Sequence, residues 1–149
     1  MKEGIILLPE DRQKQGLILS WGLNRNVTLP IQEELASHGF NDNKKENELS
    51  KKYLEEVDTK AVTIFEQASS LSGGNQQKVV LAKWLKEMPE VLILDEPTRG
   101  VDVGGKAEIY RIINELAGEG VAIIMISSEL PEVLGVSDRI AVMCEGTLM

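Results

Sequence analysis

The fold class of this chain is predicted from the run Val91-Leu92-Ile93-Leu94-Asp95-Glu96-Pro97. Four consecutive apolar residues predict a short strand, and a strand that is apolar throughout is typical of a sheet covered on both faces. Two carboxylates follow it, at the edge of the sheet where ligands of α/β proteins bind. Asp95 has the type and position to hold Mg²⁺, and Glu96 would then polarise a water molecule that attacks a phosphate. Such a strand end also arises by chance, so alone it indicates a site only weakly.

Helices and strands alternate around this run. The preceding segment predicts a helix over Gly74–Glu87, which Pro89 stops. The following segment predicts a helix over Gly105–Ala117, a buried strand over Val121–Ile126, a short helix near Pro131–Leu134, a third strand over Arg139–Cys144 with Cys144 buried, and a turn at Glu145-Gly146. Strands that alternate with helices form parallel sheets, so the predicted fold class is α/β, a mostly parallel sheet flanked by helices.

The first 70 residues have a different pattern. Gly4–Leu8 predicts one more buried strand. Residues 22–65 are polar and helix-rich, with a loop over 38–43 in which His38 is solvated. An amphipathic helix is predicted over Lys44–Val57, anchored by Leu49, Tyr53, Leu54 and Val57. We therefore divide the chain into a first strand and its following segment (1–20), a helical subdomain (21–70) and an α/β core (71–149).

Composition excludes several classes of protein. The 149 residues are 42% hydrophobic and 27% charged, as in globular domains, and no apolar run approaches a membrane span. The net charge of -8 argues against nucleic-acid binding, which needs clustered Lys and Arg. A single cysteine excludes an internal disulfide and is compatible with a reducing compartment.

A second motif, which we call the glycine-rich segment, is Leu71-Ser72-Gly73-Gly74-Asn75-Gln76-Gln77. It directly precedes a predicted helix, whose first amides are unpaired donors at the positive end of the helix dipole. Two glycines let a phosphate approach that backbone closely. Ser72 can turn its hydroxyl toward an anion or serve only as the helix N-cap, and on its own the second interpretation is the commoner one.

Together the two motifs indicate much more. The glycine-rich segment, the acidic strand downstream of it and the following Pro97-Thr98-Arg99-Gly100-Val101-Asp102 closely resemble the ATP-binding-cassette family. The resemblance covers essentially the whole chain, and it implies part of the P-loop NTPase fold. It also implies an ATPase that uses ATP and Mg²⁺. Chance agreement with a combined motif of this length is rare.

The resemblance implies a role for each motif residue. Residues Ser72, Gly73 and Gly74 would bind the γ-phosphate of an ATP held by a partner cassette, with Asn75 and Gln76 in the same ATP-binding segment. Asp95, as metal ligand, and Glu96, as catalytic residue, would form the Walker B pair, and Asp102 would bind nucleotide from the D-loop.

Further residues restrict the resemblance to one group within this family. The runs Arg99–Gly104 and Ile126–Val133, and Pro9-Glu10-Asp11-Arg12 near the start, look like sugar-importer ATPases of the ribose, galactose and xylose type. Those proteins carry two cassettes in one chain, and these variants mark the second. The implied partners are a second cassette, membrane permease subunits and, indirectly, a sugar-binding protein, with no nucleic acid. The implied location is the cytoplasmic face of the cell membrane.

Two positions depart from the family pattern. Glu10 stands where most cassettes have a glutamine that touches Mg²⁺ and the attacking water; a carboxylate can still bind the metal but adds charge beside a triphosphate. Ser128 stands where most have a switch histidine, and a hydroxyl cannot carry a positive charge. Ser128 also suits the capping position of a helix with Pro131 in its first turn. We expect a site built from Glu96, Ser128 and Glu10 to hydrolyse ATP slowly or to be regulatory.

The phosphate-binding loop of the family, Gly-x-x-x-x-Gly-Lys-Ser/Thr, is missing from the sequence. The run Gly100–Ala107 matches until its last position, but Ala107 has no hydroxyl and no strand precedes the run. We expect the true loop upstream of Met1 in a longer protein, and an apolar sheet edge in this chain that favours self-association.

Two alternatives stay open at this point. One is a cassette ATPase that is not linked to transport, which large basic or coiled-coil insertions would mark. The other is a non-catalytic or regulatory cassette, with which Glu10 and Ser128 are compatible.

Overall fold

A computed structural model describes residues 4–37, 40–86 and 88–149. Its central sheet has three strands in the order β1 (Ile5–Leu8), β4 (Val91–Asp95), β5 (Ala122–Ile126). Both pairings are parallel, with Leu8 opposite Leu94 and Asp95 opposite Ile126. The three carboxyl ends therefore meet at one edge, which confirms the predicted fold class.

The α/β core contains three helices: one precedes β4, one connects β4 to β5, and one follows β5. They are α4 (Gly73–Ala82), α5 (Val103–Gly118) and α6 (Leu130–Val136). The apolar stripe of α5 predicted from helical spacing is buried, with Ile109 fully enclosed. α4 is shorter than predicted, because i to i−3 hydrogen bonds from Trp84 and Leu85 tighten the chain after Ala82. Its predicted end, Glu87, lies outside the described residues.

Between residues 23 and 70 the chain is mainly helical, and we call this segment its helical part. It contains α1 (Leu23–Thr28), a 3₁₀ turn at Leu29–Ile31, α2 (Gln32–Leu35), α3 (Asn43–Glu56) and a 3₁₀ turn at Ala68–Ser70. α3 begins where Asp42 accepts hydrogen bonds from the N–H groups of Lys44 and Lys45, a side-chain cap. Its predicted anchors Tyr53, Leu54 and Val57 are buried. A wide π turn at Arg12–Gly16 connects β1 to this region.

The predicted loop over 38–43 contains regular structure at its margins. β2 (Ala36–Ser37) pairs antiparallel with β3 (Phe40–Asn41). His38, expected to be solvated, lies outside the described residues.

The predicted third strand of the sheet is wrong in extent and placement. Only Met143–Cys144 is a strand, β6, and it pairs antiparallel with β7 (Thr147–Leu148) in a separate hairpin. Both residues of the intervening turn, Glu145 and Gly146, have positive φ, which suits a tight hairpin turn. Cys144 is exposed, not buried as expected, because the hairpin stands apart from the core.

One face of the central sheet is open. Its buried face carries Ile6, Leu8, Leu92 and Leu94. On the opposite face Ile5 and Leu7 of β1 and Ile124 and Ile126 of β5 are each half exposed. The expectation of a sheet covered on both faces is therefore wrong for the described part of the chain. Among those residues, no helix is both long enough and apolar enough to cross a membrane.

Two buried lysines hold α4 in place. The ammonium of Lys78 lies 2.6 Å from the Glu108 carboxylate of α5 and donates to the Asp58 carbonyl at 2.7 Å. Lys83 donates to the Gly16 carbonyl at 2.5 Å, and burial lowers the pKa of its amine. Because buried charges need such partners, these contacts lock α4 against α5 and against the segment after β1.

We predict that the open sheet face makes the purified chain self-associate. Leu7→Lys combined with Ile124→Lys should reduce association, because the two side chains are 56% and 53% exposed on that apolar face. Light scattering over a concentration series measures the effect. Val62→Lys is the matched control, since Val62 is 94% exposed but lies away from the sheet. A parent chain that stays monomeric at high concentration would contradict the prediction.

Candidate functional site

The carboxyl edge of the sheet collects the predicted catalytic and metal-binding residues. Asp95 ends β4 and Glu96 follows it, and both are half-buried. Glu10 comes two residues after β1, and Ser128 two residues after β5. Because all three strands are parallel, these positions open on the same side of the sheet.

Glu96 is held by contacts to β5 and to the loop behind it. Its N–H donates to the Ile126 carbonyl at 2.9 Å, and its carboxylate accepts from the Ser128 N–H at 2.8 Å. Its φ of 47° lies in the left-handed region, which is costly for a residue with a side chain and is concentrated at functional sites.

Ser128 contacts Glu96 through its backbone N–H. It is not the cap of the helix that follows. The N-cap of α6 is Glu129, which has no side-chain cap hydrogen bond. The hydroxyl of Ser127 accepts the Glu129 N–H at 3.0 Å. The expectation that Ser128 caps this helix is therefore wrong by one residue, while its expected proximity to Glu96 is observed.

Glu10 forms an ion pair with Arg99 in the loop after β4. Both side chains are partly exposed, 45% for Glu10 and 65% for Arg99, and they line a surface cleft with Asp11, Arg12 and Gln13. The positive charge of Arg99, in contact with Glu10, offsets the negative charge that Glu10 would bring to an anionic ligand.

The glycine-rich segment lies at the start of α4. Ser72 is the N-cap and its hydroxyl accepts from the Asn75 amide nitrogen Nδ2 at 3.0 Å. The other end of the Asn75 side chain accepts the Lys60 N–H at 2.9 Å. Ser72 is exposed, Gly73 is half-buried and Gly74 is buried, so the exposed part of this helix start is its N-cap.

Gln76 points inward, which separates it from the other predicted ATP-binding residues. It is only 3% exposed. Its amide donates to the Ala68 carbonyl at 3.0 Å and accepts from the Gln13 side chain at 3.1 Å. A side chain with both ends occupied supports the position of α4 and has no free group to offer a nucleotide.

Gly73 marks a close approach of three segments. A Cβ there would lie 2.6 Å from a terminal nitrogen of Arg12 and 2.7 Å from the Gly100 carbonyl oxygen. Arg12 also donates to the Arg99 carbonyl at 2.7 Å. Burial lowers the pKa of the Arg12 guanidinium, which nevertheless stays charged at neutral pH. The segment after β1 therefore braces the start of α4 against the loop after β4.

One loop, residues 96–102, connects both parts of the site. Glu96 begins it at the sheet edge, and at its far end Val101 packs close to Gly74. Asp102, predicted to bind nucleotide, is the N-cap of α5 and accepts the Gly105 N–H at 2.9 Å. It is exposed, so capping leaves its second oxygen accessible.

The donor set suits a hydrated Mg²⁺. Within the described ranges, no group of three or more His, Cys, Asp or Glu side chains could hold a metal ion. Mg²⁺ needs no such group, because it is usually bound by one or two carboxylates together with phosphate oxygens and water. The Asp95 carboxylate at the sheet edge fits that pattern.

Several residues that support the site lie in or beside the quoted runs, but the sequence assigns none of them a role. Arg12, Gln13, Arg99, Thr98 and Glu132 make the contacts that arrange the site. Each partner lies far away in sequence, so only the folded chain brings the pairs together.

The sequence and the fold of the chain are similar to those of known proteins. The model of the ABC transporter family matches residues 3–99. Ribose import ATP-binding proteins RbsA are similar along the whole chain: 56% identity over 148 residues for Lactococcus lactis subsp. lactis (strain IL1403) and 54% over 149 for Rhodococcus jostii (strain RHA1). These alignments cover 99% and 100% of this chain but 30% of each relative, so the chain spans about a third of their length.

A solved structure shares the fold. The dimeric, post-hydrolysis ATP-binding cassette MJ0796, bound to ADP and Pi, superposes with a TM-score of 0.70 at 19% identity. The match covers 88% of this chain and 55% of that one. The likeness places the strands and helices described above within the same architecture.

We predict that Gly73→Ala destabilises the chain by about 1–3 kcal/mol, because the added methyl meets a backbone carbonyl that cannot move freely. Urea unfolding measures the change. Gly118→Ala, at the end of α5 with nothing within 4 Å of the added carbon, is the control and should be neutral or slightly stabilising. Equal midpoints for the two variants would show that the close approach is absent.

Proposed function

Because this chain belongs to the ABC transporter family, we propose that it forms most of the second ATP-binding cassette of a bacterial sugar importer. The longer protein would couple ATP hydrolysis, at the interface of two cassettes, to carbohydrate uptake. The ribose import proteins that resemble the chain favour a pentose or a related sugar as the transported substrate.

One observation carries this proposal. The Ser128 N–H holds the Glu96 carboxylate at the open edge of the sheet, next to Asp95. A carboxylate held there would accept a proton from a water molecule that attacks a phosphate. Bound ATP and Mg²⁺ would supply the γ-phosphoryl group and the charge that activates it for attack.

The chain's own residues would bind the metal and activate the attacking water. Asp95 would hold the metal through an oxygen, and Glu96 would orient and deprotonate water. Glu10 would act as a second metal ligand only while Arg99 balances its charge. Ser128 offers a backbone donor but no imidazolium, so we propose slow hydrolysis at this site.

The glycine-rich segment would serve the nucleotide of the other cassette. Ser72, Gly73 and Gly74 would present the first amides of α4 to that nucleotide, and Asn75 donates to the Ser72 hydroxyl. Gln76 would fix the helix from behind. Asp102 would face the same interface from the start of α5.

The helical part of the chain would contact the permease subunits at the cytoplasmic face of the membrane, with a sugar-binding protein on the opposite side. A cleft of about 350 Å³ there is lined by Trp21, Phe65, Asn24 and Arg25, among others. Phe65 is 61% exposed and Trp21 37%. Exposed aromatic side chains beside polar groups are typical of protein interfaces.

A regulatory cassette is the second candidate function. The Glu10–Arg99 ion pair and the serine at position 128 favour it, because both replace groups that speed hydrolysis in most cassettes. In that case the site would bind ATP and close without turnover.

We predict that the purified chain alone has no Mg²⁺-dependent ATPase activity, because it lacks a Gly-x-x-x-x-Gly-Lys-Ser/Thr loop to hold the triphosphate. A phosphate-release assay at millimolar ATP tests this. Steady turnover that Glu96→Gln abolishes would contradict this prediction.

In the full-length importer, we predict that Glu96→Gln lowers ATP turnover at this cassette by about 100-fold or more, since general base catalysis contributes 10²–10⁴-fold. Single-turnover hydrolysis together with sugar uptake in vesicles provides the measurement. Glu119→Gln, exposed on the far end of α5, is the control. Unchanged hydrolysis and uptake in Glu96→Gln would favour the regulatory cassette.

A further inference from the structure

A buried carboxylate on α6 lies behind the edge that carries Glu96. Glu132 is 4% exposed. One of its oxygens accepts from the Thr98 hydroxyl at 2.9 Å, and the other accepts from the Ser127 hydroxyl. A buried carboxylate is costly unless its oxygens are hydrogen-bonded, and here both are. Glu132 thereby joins the loop after β4 to the loop after β5.

The Thr98 contact fixes the first of these loops. Thr98 is 1% exposed and lies two residues after Glu96. Both residues belong to a turn over 96–99, in which the Glu96 carbonyl accepts the Arg99 N–H at 3.1 Å. Since Glu96 has a left-handed backbone, it keeps that conformation only while the surrounding contacts hold the turn.

The Ser127 contact fixes the second loop. The Ser127 hydroxyl donates to Glu132 and, with its lone pair, accepts the Glu129 N–H at 3.0 Å. The N–H one residue earlier, that of Ser128, donates to Glu96. Because the two N–H groups belong to successive residues of one short loop, the orientation of one restricts the other.

We infer that Glu132 is a positioning residue for Glu96, a role that rests on the proposed function of Glu96 as general base. Its carboxylate aligns both loops so that the Ser128 N–H holds Glu96 toward the water site. Supporting hydrogen bonds of this kind are what keep a reacting group in a productive geometry. The backbone contact matters more here because residue 128 has no imidazole to contact the ligand itself.

The test in the full-length protein is Glu132→Gln, which keeps size but replaces an accepting oxygen by a donor. We expect single-turnover hydrolysis at this cassette to fall about 10- to 100-fold, as for other misplaced reacting groups, with the ATP concentration for half-maximal rate changed less than about twofold. Ser127→Ala should act in the same direction, and Ser127→Thr, which restores a hydroxyl, should recover most of the rate. If Glu132→Gln does not fold, the Ser127 pair decides the outcome.

A second measurement does not depend on activity. Amide hydrogen exchange in this chain should accelerate at Ser128 and Glu129 in Glu132→Gln by about tenfold or more, while core amides of α5 keep their protection. A merely structural role would weaken protection throughout the chain. Unchanged exchange at Ser128 in a folded variant overturns the inference.

Glu96→Gln distinguishes a failure of the catalytic role of Glu96 from a failure of the positioning role of Glu132. In that background, Glu132→Gln should cause no further loss of rate, since there is no general base left to position. Normal hydrolysis in Glu132→Gln with impaired hydrolysis in Glu96→Gln overturns the role of Glu132 alone. Normal hydrolysis in Glu96→Gln overturns the proposed catalytic function and this role with it.

Discussion

The parallel pairing of β4 with β1 and β5 determines where the residues of the site lie. It places Leu8 opposite Leu94 and Asp95 opposite Ile126, so the segments after all three strands leave the sheet on one side. A register slip of one residue would turn Asp95 toward the other face and bury it. Apolar side chains on the covered face prevent such a slip, because Leu92 and Leu94 would then lose their burial.

The loop of residues 96–102 connects the sheet edge to the glycine-rich segment and fixes their relative position. Its first residue is held by β5 and its last residues pack on the start of α4. The contact at Gly73 has no room for a side chain, and Arg12 occupies the remaining space. The two parts of the site are thus rigidly related within one chain, even though we assign them to different nucleotides.

The two departures from the family pattern have compensations in the fold. Arg99 pairs with Glu10, so the extra carboxylate at the sheet edge carries its own counter-charge. A backbone N–H of Ser128 contacts Glu96, and this donor is independent of the side chain at that position. Buried Glu132 orders the loop that presents it. These contacts balance the charge of Glu10 and hold Glu96 in place, but they supply no imidazolium at position 128.

Residue type and spacing determined the fold class, the strand ending at Asp95, the buried stripe of α5 around Ile109 and the helix start at the glycine-rich segment, because these depend on local periodicity and on short turns. Other features depend on contacts that form only in the folded chain. The exposure of Cys144 follows from a hairpin that closes locally and never joins the sheet. The inward direction of Gln76 depends on partners at Gln13 and Ala68, and the site's support comes from Arg12 and Glu132. Those contacts join residues far apart in the chain, and no short-range pattern encodes which distant groups will meet.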